Sequence, residues 1–72
     1  MLTIRVRLRE VLQAKKMSQR QLADLAGLRP ATINSLCQDQ VSRIYLHTLA
    51  TLCHVLQVEL GELLVIEPSN GQ

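Results

Sequence analysis

The chain has 72 residues, of which 47% are hydrophobic and one, Tyr45, is aromatic, so it can build a single small core of aliphatic side chains and no more. No apolar run approaches the ~18 residues of a membrane span, and the amino-terminal alternation of arginine with apolar residues is not that of a signal peptide, so a cytoplasmic protein without membrane contact is expected. The net charge is +2, yet all eight basic residues lie within residues 1–43 and residues 44–72 hold three acids and no Lys or Arg, a polarity suited to one face meeting a polyanion.

"MLTIRVRL" opens with period-2 alternation, Leu2, Ile4, Val6 and Leu8 on one side and Thr3, Arg5 and Arg7 on the other, which predicts a strand. An amino-terminal segment that merely extends the first helix is the alternative. From Leu8 the spacing Leu8, Val11, Leu12 predicts a first helix to about Lys16, where Lys15 and Lys16 suit its negative end.

Ser18 and Gln21 form an S-x-x-Q capping box for a second helix, Gln19 to Ala26, with Leu22, Ala23 and Ala26 inward. Gly27 supplies the positive φ that stops it, and Leu28 plugs the corner. Pro30 fits the first turn of a third helix, where its missing N–H costs nothing. Ile33, Leu36 and Cys37 give that helix its inward stripe, leaving Ala31, Thr32, Asn34, Ser35 and Gln38 outside.

"QDQVSR" reads as a loop. Leu46, Leu49, Ala50, Leu52, Cys53 and Leu56 follow helical spacing and predict the longest inward face of the molecule. Gly61 falls near a short last turn, and "LLVIE" before Pro68 is a second strand candidate. Each strand is too short to stand alone, so Leu2–Val6 is expected to pair with about Leu63–Glu67, within one chain or across a dimer. The expected fold is all-α, a compact bundle of four to five short helices, to which these strands add a small two-stranded β-pair. Residues 1–72 are expected to form one domain.

Catalysis is not expected. No paired carboxylates, Ser/His/Asp set or phosphate-cradling glycine loop is present, and no cofactor is implied. Cys37 and Cys53 read as buried, reduced thiols; with His47 and His54 they lack any CxxC or HxxxH zinc spacing.

A short helix, a glycine corner and a second helix at a steep angle make a helix-turn-helix, here over residues 19–38. "SQRQLADLAGLRPATINSL" resembles the Cro/C1-type (lambda-repressor-like) helix-turn-helix domain: Gln19 opens the motif, Ala23 occupies the helix crossing, Gly27 the corner and Ile33 the buried site of the second helix. "LHTLATLCHVLQVELGELL" is similar to the family's fourth helix and the short helix after it, so the resemblance covers roughly residues 8–64. Two positions depart from it. Arg29 and Tyr45 stand where capping Ser, Thr or Asp is usual, which removes about 0.5–2 kcal/mol from each helix.

The resemblance implies a sequence-specific regulator of transcription, a repressor, that binds double-stranded DNA as a homodimer and takes no small-molecule ligand. Gln19, Arg20, Arg43 and Tyr45 would hold phosphates. Arg29, Ala31, Thr32 and Ser35, then Asn34 and Gln38, would read base edges. Arg5, Arg7 and Arg9 read first as a solvated strand edge, with DNA contact as the alternative. Leu25 and the carboxy-terminal strand are the candidate dimer surfaces. The rival reading is a helix-turn-helix module that binds a protein instead, as an antitoxin-type partner would.

Overall fold

The computed structural model describes residues 2–38 and 43–68. Strand β1 (Leu2–Val6) leads into helices α1 (Leu8–Lys15), α2 (Gln19–Ala26), α3 (Pro30–Cys37), α4 (Leu46–Leu56) and α5 (Leu60–Leu63), and strand β2 (Leu64–Pro68) follows directly. The strands pair antiparallel within one chain, Leu2 opposite Pro68 and Val6 opposite Leu64. The amino-terminal segment is thus a strand and not an extension of α1. Part of the "QDQVSR" loop, 39–42, lies outside the described residues.

The core is a single cluster of aliphatic side chains. Leu8, Val11 and Leu12 of α1, Leu22 and Ala23 of α2, Ile33, Leu36 and Cys37 of α3, Leu49, Leu52 and Leu56 of α4, and Leu63 of α5 are all buried in it. Six residues, Leu8, Leu22, Ile33, Leu36, Leu52 and Leu63, have almost no exposure. Each such side chain contributes about 1.5–3 kcal/mol through removal from water.

Local chemistry sets the helix ends. Ser18 and Gln21 close the capping box: the Gln21 N–H donates to Ser18 Oγ at 3.0 Å and the Ser18 N–H to Gln21 Oε1 at 2.8 Å. Gly27 terminates α2 in the left-handed region at φ 68°, and a Cβ added there would meet nothing within 4 Å, so the need for glycine is purely conformational. Lys16 ends α1 in the same region at φ 56°. Pro30 opens α3 as expected, and neither Arg29 nor Tyr45 makes a side-chain cap bond.

Three expectations are corrected. Leu46, at 81% exposure, and Ala50 lie outside the core, whereas Thr48 is buried. In α4 the line Leu49–Leu52–Leu56 turns inward, and Leu46, Ala50 and Cys53 run one position to its side, lining a surface groove with Val58 and Leu60. Cys53 is therefore half-buried and not buried. Ser35, expected outside, is half-buried beside the start of α4.

Candidate nucleic-acid interface

With Ile33, Leu36 and Cys37 inward, α3 presents Ala31, Thr32, Asn34 and Gln38 to solvent. These are small or uncharged polar side chains. A major groove about 12 Å wide admits an α-helix, and no bulky side chain stands on this face. Arg29 is exposed at its amino-terminal tip, at the cap position, where its backbone carbonyl accepts from the Thr32 and Ile33 N–H groups at 3.0 and 3.2 Å. The uncapped side chain is left to project. Asn34 and Gln38 are joined, Gln38 Nε2 donating to Asn34 Oδ1 at 3.2 Å, so the two amides form one donor–acceptor unit on the exposed face.

One side of α3 borders a groove of about 270 Å³ lined by Thr32, Ser35, Leu36, Arg43, Ile44, Tyr45 and Thr48. Ile44 packs on the core and anchors the segment before α4. Arg43 and Tyr45 flank it, both exposed. The Tyr45 ring stacks on His47, centroids 5.5 Å apart and planes 24° from parallel, which holds the phenol at the groove rim.

A second groove, of about 470 Å³, lies where the start of α2 meets α1 and the end of α3; Arg9, Gln13, Ser18, Gln19 and Cys37 line it. Gln19 is half-buried there, and Arg20 beside it is exposed. Burial pushes the Cys37 thiol pKa up, and the charge of Arg9 nearby offsets part of that rise. Gln13 was not among the expected contacts, and Arg9 only as the alternative to a solvated strand edge. Their signal was the i, i+4 spacing on the polar side of α1, which faces the same groove as Gln19.

The three amino-terminal arginines part company, against their reading as one solvated strand edge. Arg5 of β1 is tied to Glu10 at 2.7 Å and to Glu67 at 3.4 Å. Arg7 precedes α1 and lies 3.9 Å from Glu10. Arg9 belongs to α1 and is exposed. The structure thus gathers Thr32, Ser35, Arg43 and Tyr45 at one groove and Gln19 with Arg9 at the other, with α3 running between them.

A profile of the Cro/C1-type HTH DNA-binding domain matches residues 7–69. Among solved structures, the chain is similar to a candidate DNA-binding protein from Bacteroides fragilis (27% identity, TM-score 0.78, covering 88% of this chain and 100% of that one). It is also similar to the restriction-modification controller protein C.AhdI from Aeromonas hydrophila (34% identity, TM-score 0.70, 78% and 83% covered). The fold is shared with SinR, the master regulator for biofilm formation, whose structure is a complex with DNA (22% identity, TM-score 0.70, 75% and 86% covered). No curated protein matches the sequence significantly. No helix among the described residues is long and apolar enough to cross a membrane. With five helices among its described residues, a glycine corner and a profile match over residues 7–69, the chain belongs to the Cro/C1-type helix-turn-helix DNA-binding family.

Proposed function

We propose that the chain is one helix-turn-helix domain that binds double-stranded DNA sequence-specifically and regulates transcription as a repressor in the cytoplasm. The observation that carries this reading is the exposed polar face of α3, flanked by grooves that hold Arg43 and Tyr45 on one side and Gln19 and Arg9 on the other. Helix α3 enters the major groove. Arg29, Ala31, Thr32 and Ser35 read base edges, and the joined amides of Asn34 and Gln38 offer a donor–acceptor pair to an adenine.

Gln19, Arg20, Arg43 and Tyr45 hold phosphates, and Arg9 extends that set. Cationic contacts of about two to four phosphates per subunit make log affinity fall against log salt with a slope of about −0.9 per phosphate. One subunit reads a half-site. Two subunits on half-sites about 34 Å apart give the affinity that one lacks, so the functional species is a homodimer.

Selecting bound duplexes from a random pool at physiological salt tests this reading. The expected result is one enriched motif with twofold symmetry. A pool with no enriched sequence would return the chain to the rival class, modules that bind a protein partner.

A further inference from the structure

Among the described residues, no strand pairs with the outer edge of β1 at Leu2 and Ile4. In an antiparallel ladder, pairs that exchange two hydrogen bonds alternate with pairs whose N–H and C=O groups point outward. The Arg7 N–H donates to the Leu63 carbonyl at 2.7 Å, which sets the phase of this ladder. Arg5–Val65 and Thr3–Glu67 are the bonded pairs, and Leu2–Pro68 and Ile4–Ile66 turn their backbones outward. Pro68, which has no N–H to present, stands at one of these outward positions and blunts the edge of β2. Strand β1, LTIRV, holds no proline. Arg5, its one charged side chain, is drawn back onto Glu10 and Glu67.

The side chains at the outward pairs are apolar and share one face. Leu2, Ile4 and Ile66 are 69%, 59% and 69% exposed, and their face continues from Val6 and Leu64, which pack on the core. Among the described residues, β2 is the only element that packs extensively on β1. Two strands with one apolar face are marginal, and a third or fourth strand is the ordinary remedy.

We propose that β1 pairs antiparallel with β1 of a second copy about a twofold axis, forming a four-stranded sheet in the order β2-β1-β1-β2. Self-pairing centred on Thr3 sets Leu2 against Ile4 of the second copy on one face and keeps Arg5 from standing opposite its own copy. A second copy therefore suits this edge without further adaptation, because a twofold contact uses the same patch on both partners. Five residues of strand and three exposed side chains fall short of the ~800 Å² that a standard interface buries on each side. The dimer is accordingly weak and reversible, with dissociation in the micromolar range or above. This surface rests on the homodimer in the proposed function, which it locates.

Sedimentation equilibrium of the full chain from micromolar to millimolar concentration, without DNA, is expected to show a reversible dimer. Ile4→Lys raises its dissociation constant by about tenfold or more, and Leu46→Lys, on the exposed side of α4, leaves it unchanged. Amide exchange supplies the second measurement: the Leu2 and Ile4 N–H groups exchange freely in dilute protein and become protected as concentration rises. A wild-type chain that stays monomeric throughout overturns the proposal. So does a dimer that survives Ile4→Lys, or one that forms with Leu2 and Ile4 still exchanging freely. The two readings fail separately: a dimer of this kind that selects no duplex defeats the DNA reading alone, and a chain that stays monomeric yet selects a single half-site defeats this surface and the homodimer but leaves DNA binding standing.

Discussion

Arg5 and Glu10 tie the terminal ribbon to the first helix, the guanidinium donating to the carboxylate across 2.7 Å. That hydrogen bond, more than any other influence, holds the Glu10 carboxyl below its ordinary value of 4.5. A carboxylate with a lowered folded pKa stabilises the fold above its unfolded value, and the contribution disappears as pH falls through the folded one. Both side chains are about two-fifths exposed, 38% and 40%, so screening keeps the effect small. We expect Glu10→Gln to be less stable than wild type at neutral pH, with the difference closing well below pH 4.5. Urea denaturation at the two pH values checks this; a gap that persists in acid assigns the loss to packing.

The reciprocal bonds of Ser18 and Gln21 are the only side-chain capping at the starts of α2, α3 and α4. Ser18→Ala is expected to cost about 0.5–2 kcal/mol, and Gln21→Ala added to it little more, since the box acts as a unit. Chemical denaturation of the single and double variants reads the coupling. Strict additivity would falsify the reciprocal arrangement.

Gly27 and Lys16 test one dihedral in opposite directions, since both lie near φ 60°. At Gly27 an added methyl meets nothing, so Gly27→Ala should lose only the left-handed penalty, about 1–2 kcal/mol. Lys16→Gly should gain up to about 1 kcal/mol by relieving that penalty, less the entropy glycine brings to the unfolded chain. Thermal midpoints of the two variants should move in opposite senses. Gly27→Val is expected to damage folding before it touches any DNA contact.

On duplex DNA, Arg43→Ala and Arg9→Ala should weaken binding to every sequence and reduce the salt slope by about one phosphate each. Arg29→Ala and Thr32→Ala should instead relax sequence preference, by about 1–3 kcal/mol where a bidentate pair is lost. Titrations at several salt concentrations, on selected and scrambled duplexes, separate the two classes. Equal losses on all duplexes for all four variants would contradict the division between holding and reading.

The sequence was most legible where one residue type answers one local demand. Ser18, Gly27 and Pro30 mark a cap, a left-handed stop and a first turn, and each does so in the fold. The inward stripes of α1 and α3 were equally plain, because short helices with few apolar residues leave one choice of face. In α4 apolar residues occupy two adjacent lines, and period alone cannot say which faces inward; packing chose Leu49, Leu52 and Leu56. Alternation in β1 revealed the strand but not that its apolar side projects past the core. Arg5, Arg7 and Arg9 look alike in sequence, and only the switch from strand to helix between them turns Arg5 and Arg7 toward Glu10 and Arg9 toward the groove beside Gln19.

The ribbon joins residues from opposite extremities of the polypeptide, Leu2 against Pro68, with every helix strung between them. Closing a loop that embraces nearly the entire chain is the costliest loop closure in the molecule, and only ten residues reward it. The helices should therefore consolidate first and the seam zip last, so that unfolding begins there as well. Native-state exchange of the bonded Thr3 and Arg5 amides, measured in dilute protein, is expected to follow an opening that costs less free energy than the one releasing Leu22 or Leu52.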